Sequence, residues 1–442
     1  MRRVFRRILV AAAVLTPVWA AAQEPLTVDV AVQTAVAHNA SLRAARAGLD
    51  EAAARTTEAR SGFYPRLSVS EAWQRGNQPV YVFSSLLSSR QFAATNFAID
   101  SLNHPDPVGF FHTTFGVEQL IYDGGRQRAL AGSASLTRDI AAASVDEAAA
   151  GIALQTTQTF GRLIAAEAAK RAADTGLESA RDDLTRAEHR REVGMSTDAD
   201  VLSLVVHVAD LQQRAILASS EATVARAELN RLMGAPIEAP IITAMPTSAA
   251  PGSSPDVTAL LTEADAVRPE IKRAIAATRL AEKSQSQATA ALIPQVGAEA
   301  AYDISGTQFA DRAPSWIVGG QIRWTFSTGG AEIANRKATA AAITRAAAAS
   351  EDIRAAVHVE VVTAAGRVES ARAREVVGRA AADQARESQR IVRDRFEQGL
   401  AGVNDVLRAS TSVLDAEANR AAAIVDVMVA DAMLRRAVGR LP

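Results

Sequence analysis

The order of apolar and polar positions changes period several times along the chain, and each change predicts an element. From Val28 to about Ser61 the chain is Ala-rich, free of internal proline and spaced as a helix. Pro65 ends that pattern and a period of two begins. The alternation is plainest later, where Val296, Ala298, Ala300, Tyr302 and Ile304 alternate with Gln295, Gly297, Glu299 and Asp303. After a turn, Trp316, Val318, Ile322, Trp324 and Phe326 alternate with Gly319, Gln321, Arg323 and Thr325. Phe111, Thr113, Phe115 and Val117 keep the same register earlier in the chain. Two hairpins are expected, about 66–122 and about 295–327, each with one apolar and one polar face. Lipid against one face and water against the other fits this pattern, and so does a soluble hairpin with one buried face.

Beyond the glycine pairs Gly124-Gly125 and Gly329-Gly330, proline-free helical sequence runs to Glu192 and to Glu397. At about 1.5 Å per residue, such a helix reaches roughly 100 Å. The pre-strand helix Val28 to Ser61 and the return from Ser196 to Met233 together match that length, so two helices stacked end to end can pair with one long helix. Leu407, Thr411, Leu414, Ala418, Ala421, Val425, Met428 and Ala432 form a heptad whose small members allow close helix packing.

Self-comparison shows that the unit occurs twice. Val28 matches Val257, Leu42 matches Ile271, Phe63-Tyr64-Pro65 matches Leu292-Ile293-Pro294, and Trp73 matches Tyr302, all at an offset of 229. Asp123-Gly124-Gly125 then matches Thr328-Gly329-Gly330, Gly194 matches Gly399, Asp200-Val201-Leu202 matches Asp405-Val406-Leu407, and Gly234 matches Gly439, all at 205. The change of 24 places an insertion in the first copy between Trp73 and Asp123. The expected organisation is a leader at 1–22, a first repeat at 23–234, a Pro-rich linker at 235–256 and a second repeat at 257–442. Each repeat reads helix, strand, strand, long helix, helix.

The leader is read from Arg2, Arg3, Arg6 and Arg7, the apolar run from Ile8 and the small residues Ala20-Ala21-Ala22, the pattern of a secretory signal. Its removal takes the formal charge from −1 to −5, four arginines fewer, and leaves no basic stripe for nucleic acid. With Cys 0, the chain offers no disulfide, thiolate ligand or lipidated cysteine. No uninterrupted apolar run of membrane-spanning length follows the leader, so any membrane crossing is expected to use strands. Four strands cannot close in lipid, and closure then requires several identical chains about a cyclic axis.

Taken together, the duplicated strand entries, the paired glycines, Arg268-Pro269-Glu270-Ile271 and the turns Arg191–Ser196 and Phe396–Ala401 resemble the TolC-like outer membrane efflux family over essentially the whole mature chain. The resemblance implies a mainly α chain with a small β-barrel part: a homotrimer whose twelve-stranded barrel continues into a periplasmic α-helical barrel. It implies a passive exit duct in the outer membrane for tripartite efflux or type I secretion, with a periplasmic membrane-fusion adaptor and an inner-membrane pump as partners. Val193, Gly194, Met195, Gln398, Gly399 and Leu400 are the implied adaptor-docking turns, beside the simpler reading that the glycines only reverse the chain. Asp200 and Asp405 fall at acidic positions of the family's periplasmic constriction, or are ordinary acidic residues near a helix start. Phe396, Ala401 and Arg408 depart from that region's tyrosine, arginine and second acidic residue. Phe115, Trp316, Trp324 and Phe326 are the implied lipid-facing aromatics.

His38, His104, His112, His189, His207 and His358 form no metal-binding spacing with acidic partners, and neither a nucleophile elbow nor a phosphate loop occurs. No enzyme activity, cofactor or metal is therefore expected. The insertion around Pro79 to Phe110, with Phe83, Phe92 and Phe97, belongs to the outer loop of the first hairpin, narrowing the mouth or touching something outside. The alternative from another class is a soluble periplasmic coiled-coil scaffold or adaptor.

Overall fold

The computed structural model describes residues 25–245 and 256–440. The expected leader and residues 246–255 of the expected linker lie outside the described residues. In chain order the elements are α1 (Val28–His38), α2 (Ala40–Ser61), β1 (Arg66–Gly76), α3 (Pro79–Ser88), a 3-10 turn (Ala94–Phe97), α4 (Ile99–Asn103), β2 (Val108–Tyr122), α5 (Arg126–Glu192) and α6 (Asp198–Met233). There follow α7 (Val257–Val267), α8 (Pro269–Ala290), β3 (Gln295–Gly306), β4 (Ala313–Arg323), α9 (Ala331–Glu397) and α10 (Val403–Val438). The described residues are thus mainly helical with one small sheet. Both α5 and α9 have 67 residues, and both α6 and α10 have 36.

The single pre-strand helix expected from Val28 to Ser61 is two helices. Asn39 interrupts it with an extended backbone (φ −61°, ψ 131°), and its side chain accepts from the amides of Ser41 and Leu42, capping α2. In the second copy Arg268 is extended (φ −57°, ψ 124°) because Pro269 excludes the helical conformation from the residue before it. Asn39 has no proline after it, so helical spacing alone conceals the break.

The second hairpin is also shorter than expected. β4 ends at Arg323, so Trp324 and Phe326 lie beyond the ladder, their rings 5.7 Å apart, with Trp324 Nε1 donating to Leu292 O at 3.3 Å.

The described residues divide into two compact units, one drawn from 25–37, 156–245 and 373–429, the other from 38–155, 256–372 and 430–440. The second contains the antiparallel sheet, in the order β1-β2-β3-β4. β2 pairs with β3 across the long helical excursion between them, and β1 and β4 are the sheet's edges. Away from the sheet, Ala264, Ile271, Val357, Val361, Ala364 and Ala437 form an apolar core. Beside it the buried Arg268 donates to Glu270 (2.7 Å) and to the carbonyl of Arg436 (2.7 Å), and pairs with Glu360, which also receives Arg436 (2.9 Å).

In the first unit, α5 and α10 pack closely where Gly161 faces Val425: a Cβ there would lie 2.5 Å from the valine methyl. Beyond α6 the chain is pinned, Asn230 Nδ2 donating to the carbonyls of Ile237 (3.0 Å) and Ala239 (2.9 Å). Leu26 then bridges residues 242–244, and Thr243 Oγ1 donates to Glu167 at 2.7 Å.

One helix comes near membrane-spanning character without supplying an uninterrupted apolar run. α6 is long and apolar enough by length and composition, because its charges, such as the Asp210–Arg214 pair at 2.9 Å, are interspersed between apolar runs. Val201, Leu204 and Leu211 of this helix are buried in the unit, whereas Leu202, Val205 and Val206 stand exposed.

Candidate functional site

Two regions carry the chemistry: the turns between the long and return helices, and the faces of the sheet. At the first turn α5 stops where Gly194 takes φ +77°, a conformation nearly free of cost only for glycine. Gly194 N donates to Arg191 O (2.9 Å) and Met195 N to Arg190 O (2.8 Å), the paired bonds of a Schellman stop. Gly399 (φ +73°) repeats this with Phe396 O (3.0 Å), and Leu400 N with Arg395 O (2.8 Å). Both turns therefore present apolar tips to solvent: Val193, Met195 and Leu400 are each more than two-thirds exposed.

The two turns are joined beneath their tips. Ala187, Val201, Leu204 and Val403 form a buried cluster against which Leu184, Phe396 and Leu407 pack. The Arg190 guanidinium lies 4.8 Å from the Phe396 ring centroid, and Arg393 pairs with Asp183 at 3.1 Å. Phe396 is thus part of the small core that holds the turns together. Gln398 continues its helix end, its N–H donating to Asp394 O at 3.2 Å.

The acidic residues after each turn are helix caps. Thr197 caps α6 in a capping box: Asp200 N donates to Thr197 Oγ1 (3.2 Å), and Asp200 Oδ2 accepts from Thr197 N (3.1 Å) and Oγ1 (2.8 Å). The Thr197 hydroxyl, with its backbone N–H, holds the Asp200 carboxyl below its ordinary value. Asp405 accepts from Gly402 N at 3.2 Å, the same back-bond at the start of α10. The spacing Thr197-x-x-Asp200 signals this in the sequence. Arg408 is exposed on a shallow groove with Asp415 and Asn419.

In the sheet, register puts Val69, Phe115, Tyr302 and Trp316 in one cross-strand row, and Leu67, Val117, Ala300 and Val318 in the next row on the same face. Trp316 is 75% exposed and Leu67 74%. The opposite face carries Arg66, Glu118 and Glu299 in one row and Ser70, Thr114, Asp303 and Ser315 in another. Phe115 and Trp316 thus share one apolar face, whereas Trp324 and Phe326 stand past its end. Leu67, Val69 and Trp73 complete that face from β1; their alternation in the sequence is the signal that finds them. No group of three or more metal-ligating side chains occurs among the described residues.

The comparisons with known proteins agree with this geometry. The family model described as outer membrane efflux protein matches residues 31–235 and 260–440. The Campylobacter jejuni CmeC outer membrane channel is similar in structure, with TM-score 0.82 at 15% identity, over 93% of this chain and 85% of that one. A membrane protein from Pseudomonas aeruginosa gives TM-score 0.79 at 20% identity, over 93% of each chain. The outer membrane protein VceC of Vibrio cholerae gives TM-score 0.76 at 19% identity, over 93% of this chain and 96% of that one. No curated protein sequence matches.

Proposed function

The chain belongs to the outer membrane efflux protein family, and from that premise we propose that three copies close one barrel and form the exit duct of a tripartite pump or type I secretion system. Membership makes it an outer-membrane efflux channel whose helical part lies in the periplasm. The observation that supports closure by several copies is the sheet: four strands, two edges and one apolar face. Unpaired edge groups in hydrocarbon cost several kcal/mol each, and single-chain barrels begin at about eight strands. Pairing β4 of one copy with β1 of the next satisfies every edge, and three copies give twelve strands.

In that assembly the row of Val69, Phe115, Tyr302 and Trp316 faces lipid, with Trp324 and Phe326 at its margin, and the row of Arg66, Glu118 and Glu299 faces a water-filled lumen. The exposed apolar tips Val193, Met195 and Leu400, held by Gly194 and Gly399 with Gln398 alongside, are offered to the periplasmic adaptor that links the duct to an inner-membrane pump. Asp200, Asp405 and Arg408 flank the tip and would be repeated three times around the axis, with Phe396 beneath them. Since both aspartates cap their own helices, their carboxylates are oriented by the helix starts.

The test is to express the chain with its leader, extract the outer membrane in mild detergent, and measure particle mass and conductance. A trimer with pore activity is expected. A water-soluble monomer or dimer without conductance would overturn the barrel and favour the periplasmic scaffold.

A further inference from the structure

Between β1 and β2 the first copy inserts residues 77–107, where the second copy has a short turn. The inserted helix α3 lies across the sheet. At its start the Tyr81 hydroxyl donates to Gln74 O (2.8 Å), its ring meets Phe110 edge-on at 6.5 Å, and a Cβ on Gly76 would lie 3.6 Å from that ring. Gln74, Gly76 and Phe110 all belong to the polar face, the one that carries His112, Asp303 and Ser305. Past its end, Arg90 Nη2 donates to Pro314 O (3.0 Å), Gln91 Nε2 to Asp311 (3.2 Å), and Thr307 Oγ1 to Gln91 (2.5 Å), tying it to β4 and the β3–β4 turn. Val82 and Ser85 of the helix, and Ser305 and Ala313 of the sheet, are buried. Phe92 packs between Phe83 and Phe97, ring centroids 4.8 and 5.0 Å apart, which stiffens the segment. Val80 (73% exposed), Phe83 and Leu87 (57%) then share the helix surface turned away from the buried pair.

We propose that residues 77–107 form a strap inside the outer mouth of the barrel, and that Val80, Phe83 and Leu87 make an apolar collar past which cargo leaves. This rests on the barrel reading, in which the polar face lines the lumen. A segment folded onto that face occupies the bore, and threefold repetition turns one apolar stripe into a ring. Such a ring disfavours hydrated ions and bulky polar solutes relative to amphiphilic ones, because apolar constrictions shed water. The collar residues therefore set selectivity at the exit.

The absence of native cysteine makes single reporters clean. Ser70→Cys places a thiol on the polar face and Val318→Cys on the apolar face. Intact cells are treated from outside with a small membrane-impermeant maleimide and with a maleimide on a kilodalton-sized polymer. The small reagent is expected to label Ser70→Cys and not Val318→Cys, while the polymer labels Ser70→Cys slowly. Replacing residues 79–104 by a short Gly-Ser turn should raise the polymer rate about tenfold and leave the small reagent's rate nearly unchanged. Tyr81→Phe with Arg90→Ala, which keeps the strap but cuts an anchor at each end, should give a smaller rise and covers the case in which the deletion does not assemble. Polymer rates that are equal with the strap present, loosened and removed overturn the collar while leaving the barrel intact. Failure of the small reagent to label Ser70→Cys in any assembled variant overturns the barrel reading, and the collar with it.

Discussion

The two copies of the repeat solve one problem, the break between the two pre-strand helices, in two chemically opposite ways. In the first, Asn39 interrupts the helix and caps the next one with a neutral side chain. In the second, Arg268 is 2% exposed and is surrounded by Glu270, Glu360 and the end of α10. By the repeat offsets, Asn39, Ser41 and Gln155 stand where Arg268, Glu270 and Glu360 do. The neutral joint caps its own following helix through the amides of Ser41 and Leu42, and the ionic joint ties together segments nearly 170 positions apart through charge (|i−j| = 168). A duplicated sequence can thus keep its geometry while one copy holds its joint with a cap and the other with a charge network.

The largest expected effect comes from opening that network. Arg268→Met leaves Glu270 and Glu360 without their shared guanidinium and should destabilise this unit by about 3–5 kcal/mol, read as an earlier denaturation midpoint or faster proteolysis. Next is Gly439, whose φ of +86° lets the end of α10 reach the joint so closely that a Cβ added there would lie 3.1 Å from the Arg268 Cα. Gly439→Ala should cost more than about 1 kcal/mol, and a neutral result would show that the C-terminal approach is dispensable. Asn39→Ala should cost about 1 kcal/mol, with Asn39→Asp retaining most of the cap. Equal losses for Asn39→Ala and Arg268→Met would erase the contrast.

Acid should separate the joints most finely. Burial favours the protonated form of Glu270, but the Arg268 hydrogen bond and the charges of Arg268 and Arg436 outweigh it and hold the carboxyl below its ordinary value. The folded joint therefore binds that proton more weakly than the unfolded chain does. Its contribution is complete above the ordinary glutamate value of about 4.3 and is lost as pH falls through the lowered folded value. Amide exchange near the start of α8, at Lys272 for instance, should quicken over that acid range, while the capped amides of Ser41 and Leu42 should not. Matched acceleration at both would remove Glu270 as the cause.

Much of this fold can be read from residue order. Pro65 and Pro294 mark the change of period, and alternation from Val296 to Ile304 fixes which residues share a face, because strand parity admits no third arrangement. The break at Asn39 is hidden because alanine-rich sequence fits a continuous helix and no proline follows Asn39 to exclude it. The end of β4 before Trp324 is hidden as well, since alternation continues through Phe326, past the last ladder pair at Arg323. The turns at Gly194 and Gly399 are legible from glycine and helix length, yet the roles of Asp200 and Asp405 required the hydrogen bonds of the helix starts. The strap is the least legible: Pro79 announces a helix, but nothing local says which face of the sheet it covers.

The sheet's two bare edges carry a genetic consequence. If each barrel is completed by edges borrowed from two neighbours, a subunit with a damaged β1 spoils every barrel it enters. In a cell making altered and normal chains equally, with random mixing, only about one barrel in eight would be wholly normal. Edge-strand lesions such as Val69→Pro, provided the altered chain still reaches the membrane, should then be inherited as dominant, whereas lesions that prevent export altogether should be recessive.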